Sequence, residues 1–349
     1  MINIRRHILG VTLLHFMLCG MFAVCSCNPE SVPSDNNFTI KVATYNLWCA
    51  HSRTKKITAD PTIDSQRYWK PSSPAMKKII ADMDCDIYAF QEIGDSIYGK
   101  QGLELSLRAA MEPEYEWKIW ANSDGGTLVT ENSGKLNYSP GICYRKSVIT
   151  VLDGGVFWLG GNPAKAEFVR TEDFNPQYGD SKRACVWARM RHKPSGKLFY
   201  FLSTHLDTRS FSGVSYPMVN NHNCTNLMSH ADSHIVPEGM PSIIAGDMNV
   251  APGMSGYVNL MNHEGRRHIW KDTYYVAQEA GLLGATAAIS PVTNNSAKGQ
   301  MGNSRIDHVF VDGFDVLHYD IIQDIYKTEN GTEHYPSDHF PVIVTLKFK

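Results

Sequence analysis

Short runs of alternating or clustered apolar and β-branched residues recur along the chain, and most of them end in polar side chains able to do chemistry. Phe38–Tyr45 reads as a strand that delivers Asn46 at its end. Pro74 opens a helix whose Met76, Ile79, Ile80 and Met83 fall at helical spacing, and Asp86–Phe90 is a second short strand closed by Gln91-Glu92. A strand, helix and strand joined by a right-handed crossover place the two strands parallel, with Asn46 and Glu92 at the same edge.

Further along, a helical pattern covers Gly102–Met111, and residues 122–139 are Gly-, Asn- and Ser-rich loop. Gly141–Tyr144 and Ser147–Val151 read as a hairpin across Arg145-Lys146, and Ala184–Met190 with Leu198–Leu202 as another across His192–Gly196, its second strand running on to His205. A helix is expected near 220–235. Ile243-Ile244-Ala245 is a buried strand delivering Gly246-Asp247-Met248-Asn249, although Asp and Asn are also ordinary turn residues after a strand. Asp307 begins a strand that reaches Val311, and Ser337-Asp338-His339 precedes a last one at Phe340–Phe348. No solenoid-scale repeat is present, and the pattern predicts one domain of two stacked sheets flanked by helices.

With 349 residues, 43% of them apolar and 19% charged, the chain can bury a large core. Its first residues are basic at Arg5 and Arg6, then mostly apolar from Ile8 to Val24, which reads as an export signal; the alternative is an uncleaved anchor helix. Val24-Cys25-Ser26-Cys27 resembles the lipobox of bacterial lipoproteins, which implies cleavage before Cys27, lipidation of its sulfur and attachment to a membrane at the periplasmic or cell-surface side. The domain reading is therefore a signal segment 1–26, a flexible tether 27–37 rich in Pro, Ser and Asn, and a catalytic domain 38–349, expected to be a monomer. Loss of Arg5 and Arg6 from the 33 basic side chains leaves 31 against 35 acidic ones, a charge of −4, which does not favour nucleic acid as the partner.

Cys49, Cys85, Cys143, Cys185 and Cys224 remain in the mature chain, widely spaced and without zinc-finger partners, so a thiolate metal site is not expected. Cys143 and Cys185 read as small buried hydrophobes. His222, His230 and His234 do not repeat a metal motif. The residues gathered at strand ends are Asn46, Glu92, His205, Asp207, Asp247, Asn249, Asp307, His308, Asp338 and His339. Carboxylate and amide oxygens select a hard cation, and imidazoles among them suit proton transfer or contact with phosphate. Crowded carboxylates call for a divalent ion, and such an ion makes phosphoester hydrolysis the natural reaction.

The ordered set Tyr45-Asn46-Leu47, Gln91-Glu92, Thr204-His205-Leu206, Gly246-Asp247-Met248-Asn249, Ile306–Phe310 and Ser337–Pro341 resembles the endonuclease/exonuclease/phosphatase superfamily, of DNase I-like fold. The resemblance spans about 40–348 and implies a four-layer α/β/β/α sandwich and a Mg²⁺- or Mn²⁺-dependent phosphoesterase. It further implies that Glu92, Asn46 and Asp338 hold the metal, Asp247 activates water, Asn249 positions phosphate, and His205 and His339 contact phosphate, with Asp307 fixing the His339 tautomer. Arg183 lies where an arginine contacts phosphate in some relatives, or else is a surface cation before a strand. Asp207 and His308 are not fixed by the pattern and read as solvated or structural. Trp48, Trp69, Trp158 and Trp187 read as core, although Trp48 and Trp69 could reach the cleft mouth. Nuclease, phospholipid phosphodiesterase and sugar- or inositol-phosphate phosphatase stay open as activities, and a non-catalytic lipoprotein binding a phosphorylated ligand is the alternative from another class.

Overall fold

The computed structural model describes residues 38–48, 69–93, 107–118, 139–166, 182–207, 216–294, 304–324, 326–327 and 333–349. The expected signal segment, the tether with Cys27, Cys49 and the Trp69 side chain lie outside them. The first strand, Thr39–Asn46 (β1), and Ile87–Ile93 (β2) are parallel, with Asn46 beside Gln91, as the strand-helix-strand pattern predicts. The intervening helix, Trp69–Met83 (α1), begins five residues before Pro74. Its Pro therefore sits within the helix rather than opening it, where the missing N–H costs one bond near the N-terminal end.

Sheet one is completed by Tyr115–Lys118 (β3), which follows the short helix Leu107–Met111 (α2), by Ser139–Arg145 (β4), and by two late strands. Those late strands are Phe314–Ile321 (β11) and Val342–Phe348 (β14), giving the order β11-β14-β1-β2-β4-β3. Sheet two contains Ile149–Trp158 (β5), Ala184–His192 (β6), Leu198–His205 (β7), Ser242–Asp247 (β8), Lys271–Asp272 (β9) and Asp307–Asp312 (β10). Its order is β5-β6-β7-β8-β10-β9, with β7 parallel to β8. Tyr326–Lys327 (β12) and Glu333–His334 (β13) make a separate small ribbon.

The expected hairpin of β4 and β5 does not form: β4 pairs with β2 and β3, whereas β5 pairs with β6 in the other sheet. Both edges of β4 are taken, by β2 and β3, so none is left for β5. Arg145 ends β4 as an anchored cation, bonded to Glu114 at 3.1 Å and lying 4.9 Å over the Tyr115 ring, and the next residues carry the chain across to sheet two. The β6–β7 hairpin forms as expected.

Inner faces of the sheets share a core including Val42, Ala89, Val186, Phe201, Ala245 and Val309, while α1 covers the outside of sheet one through Met76, Ile79, Ile80 and Met83. Tyr216–His230 (α3), which continues as a π-turn to Ile235, and Ser255–Met261 (α4) cover sheet two. Thr273–Ala280 (α5) starts on an Asp272 cap and ends at Gly281 in the left-handed region, and Ala285–Ile289 (α6) follows. The result is the four-layer sandwich implied by the resemblance, with one parallel strand pair in each sheet. Cys85, Cys143, Cys185 and Cys224 are free and buried, in line with the hydrophobe reading.

Candidate active site

Strand register builds the site. His205 lies beside Asp247 across the parallel β7–β8 pair, and Asp307 lies beside Asp247 across the antiparallel β8–β10 pair. Side chains in register on adjacent strands share a face, so the three form one row. Gly246 permits that closeness, since a Cβ there would stand 2.1 Å from the Thr204 carbonyl oxygen. Across the sandwich, Asn46 ends β1 and is buried, and its Nδ2 donates to Asp247 Oδ2 at 3.0 Å and to Glu92 Oε1 at 3.4 Å. One amide thereby ties a carboxylate of each sheet. The plane of that amide is set by Trp48 N donating to Asn46 Oδ1 at 2.9 Å, and Ser337 Oγ donates to the Asn46 carbonyl at 2.7 Å.

The backbone is strained at the same place. Among the described residues, four that are not glycine have positive φ, and three of them are Trp48 (55°), Glu92 (54°) and Asn249 (48°). A bulge in β2 between Phe90 and Ile93 breaks the strand's alternation and re-aims Glu92. Left-handed backbone outside glycine costs about 1–3 kcal/mol per residue and collects where function needs an unusual direction. Asn249 is held by its own N–H, which donates to Asp247 Oδ1 at 2.9 Å, and by its Nδ2, which donates to Leu206 O at 2.9 Å.

Burial and charge set the protonation states. Burial raises the Asp247 carboxyl to about 6; Asp307 adds to the rise, while His339 and the Asn46 and Asn249 donors oppose it. Burial also pushes Glu92 up, with Asp247 as a second cause. His205, whose Nε2 lies 3.3 Å from Asp247 Oδ2, is driven well below the usual histidine range by burial and by the charges of Arg183 and His339. It is neutral at working pH. For His339 burial acts downward, but Asp307 and Asp247 outweigh it and hold the imidazole well above its ordinary value. Its Nδ1 meets Asp307 Oδ2 at 2.8 Å and its Nε2 lies 3.6 Å from Asp247 Oδ2. His339 is therefore an oriented imidazolium.

Glu92, His205, Asp247, Asn249, Asp338 and His339 line one cleft of about 470 Å³, whose other wall is Ala251, Met254, Asn294, Ser304 and Ile306. Among the described residues, Asp247, Asp307 and His339 form the one group of three able to present metal-ligand atoms within 4.8 Å of one another. Asp307 and His339 already hold each other, whereas Glu92 and Asp338 keep their carboxylates toward the same cleft.

Arg183 is not a surface cation. It is buried, 3.7 Å from Asp207 Oδ1, and its Nε and one terminal nitrogen have no hydrogen-bond partner among the described residues. Its charge reaches His205 and Glu92. Asp207 and His308 are buried, so of their two readings the structural one holds. Trp48 and Trp158 are core residues and Trp187 packs partly buried against the same layer. Sequence patterns gave no sign of Asn294 and Ser304, which lie in a polar stretch, nor of the buried Asp272–Arg305 pair described below.

A family model described as Endonuclease/Exonuclease/phosphatase family matches residues 43–339. No curated protein sequence matches the chain. Among solved structures, an endonuclease/exonuclease/phosphatase family protein from Bacteroides thetaiotaomicron is 22% identical, with a TM-score of 0.66 over 89% of this chain and 98% of that one. The mannosyl-6-phosphatase of Bacteroides thetaiotaomicron VPI-5482 is 23% identical, with a TM-score of 0.65 over 88% of this chain and 100% of that one. The human Nocturnin catalytic domain with bound sulfate is 15% identical, with a TM-score of 0.59 over 89% and 94%. At these identities the likenesses show a shared fold.

Proposed function

The chain belongs to the endonuclease/exonuclease/phosphatase family, and from that premise we propose that it is a phosphoester hydrolase dependent on a divalent cation. The observation that carries the proposal is the Asn46 amide bonded to both Glu92 and Asp247 opposite an imidazolium held by Asp307. The donor set fits a hard cation. Burial raises the carboxyls of half-buried Glu92 and buried Asp247, the Asp247 charge raises Glu92 further, and a positive ion among oxygen donors relieves both effects. Glu92 and Asp338, with Asn46 beside them, would hold Mg²⁺ or Mn²⁺. When bound, such an ion polarises a phosphoryl oxygen and offsets the charge that develops on it.

The protein's own groups supply the rest. Asp247 accepts the proton of the attacking water at its carboxylate. His339 donates from Nε2 to a non-bridging phosphate oxygen, neutral His205 orients beside it, and Asn249 lines the phosphate position. Buried Arg183 adds a positive field behind the phosphate. The organic part of the substrate faces Asn294, Ser304, Met254 and Ile306, a neutral wall of mixed polarity. The mannosyl-6-phosphatase relative and the mild net acidity favour a phosphorylated small molecule over nucleic acid. A panel of sugar phosphates, phosphoinositides, sphingomyelin, RNA and DNA tests the reading. Turnover of at least one member should vanish on chelation and return with Mg²⁺ or Mn²⁺; no turnover of any member with either metal would overturn it.

We further propose residues 1–26 as an export signal, 27–37 as a tether and Cys27 as the lipidated residue that anchors a monomeric domain to a membrane. Cys27→Ser should move the protein from the membrane fraction to the soluble one, and unchanged fractionation refutes the anchor.

A further inference from the structure

Behind the cleft wall lies a closed polar cluster that the mechanism does not use. Arg305 donates to both oxygens of Asp272, at 3.1 and 2.9 Å, and its guanidinium lies 4.5 Å from the Tyr274 ring centre and 5.1 Å from that of Tyr275. Tyr257 Oη donates to Asp272 Oδ2 at 2.7 Å, and Tyr274 N donates to Oδ1 at 3.0 Å. Both members of the ion pair are buried. Burial acts upward on Asp272, but the charge and hydrogen bonds of Arg305, together with His308, more than reverse it and keep the carboxylate ionised.

His308 joins this cluster to the site. It is fully buried, its Nδ1 lies 2.9 Å from Arg305 and its Nε2 lies 2.9 Å from the Val250 carbonyl oxygen. The same Nδ1 lies 3.3 Å from Asp272 Oδ2, so it faces both members of the ion pair, and because a carbonyl can only accept, Nε2 carries a hydrogen and donates it to Val250. The imidazole is thereby a spacer between a rigid ion pair and one carbonyl. That carbonyl belongs to the residue after Asn249, in the segment that leaves β8. Its other peptides are pinned too: Met248 N donates to Ile306 O at 2.9 Å, and Asn220 donates to Met248 O at 3.0 Å. His308 also neighbours Asp307 in β10 and points to the opposite face of the sheet.

We propose that His308 is a positioning residue, clamping the Asn249–Val250 backbone to the Asp272–Arg305 pair and so keeping Asn249 in its left-handed conformation against Asp247. The consequence for rate rests on the proposed hydrolase reading; the consequence for backbone order does not.

The test compares His308→Gln, whose amide can donate to Val250 and accept from Arg305, with His308→Leu, which can do neither. Val344→Ala, in the core of sheet one, serves as the control for general destabilisation. In metal-free protein, His308→Leu should speed hydrogen exchange at the Met248 and Asn249 amides about tenfold relative to the remaining β8 and β10 amides, because the clamp holds this segment alone. His308→Gln should not. In turnover, His308→Leu should lower kcat about 10- to 100-fold with KM changed less than about threefold, and His308→Gln should restore it. Should His308→Leu fail to fold, His308→Asn, too short to span both partners, takes its place with the same expected results. Uniform exchange and a kcat loss no larger than that of Val344→Ala at matched stability would overturn the proposal. A wild-type protein that turns over no phosphoester refutes the hydrolase reading and leaves the exchange pattern to decide the clamp.

Discussion

Asp247→Asn lowers kcat by about 10²–10⁴-fold, because the amide fills the same space but cannot accept a proton from water. The amide oxygen still accepts the Asn249 N–H, but the position that accepted Asn46 Nδ2 becomes an NH₂ donor, so the bond to Asn46 is lost. The wild-type rate should rise with pH as the carboxylate ionises. Burial places that ionisation at about 6 in the metal-free site, and a bound cation draws it lower, so the acidic limb lies at or below pH 6. The variant's residual rate should lack that limb. Steady-state kinetics across pH 4.5–9 check both statements, and a variant retaining more than a tenth of the wild-type kcat removes Asp247 as the base.

Asp307→Asn costs about 10²–10³-fold in kcat, since His339 loses the partner that orients it and keeps it charged. The sign of the accompanying pH change follows from the cause. Burial alone lowers the His339 pKa, and Asp307 is the first of the groups that raise it. Without that carboxylate the imidazolium loses its proton at lower pH, so the alkaline limb moves down toward neutrality. His339→Gln should lose a similar amount of rate and show no alkaline limb from this group, and the double variant should be no worse than either single one. A pH profile unchanged by Asp307→Asn would show that the pair does not act together.

Most of the site was legible in the sequence because it sits on strand ends, where apolar runs stop and chemistry-bearing residues follow. Asn46 and Glu92 needed only correct strand boundaries and one helical crossover to be placed at one edge, whereas His205, Asp247 and Asp307 were legible as strand-end residues and the pairing of β7, β8 and β10 that brings them together was not. The errors have a common origin. A strand pair is recognised by its turn, but Arg145-Lys146 joins strands of different sheets, and nothing local distinguishes such a connection from a hairpin. Arg183 was open to a surface reading because burial of a cation depends on distant partners, here Asp207, brought near by the β6–β7 pairing. Asn294 reaches the cleft only through a bridge to His339, and the Asp272–Arg305 pair only through sheet register, so neither leaves a periodic trace.

The bond from Asn46 in one sheet to Asp247 in the other makes the reaction centre a seam between two halves of a single core rather than a pocket with its own hinge. The two strands that carry these residues are held by the central ladders of their sheets, which open last. Chemistry and fold therefore belong to one cooperative unit: increasing denaturant should extinguish turnover along the same curve that reports loss of the sheets, with no inactive folded species between them.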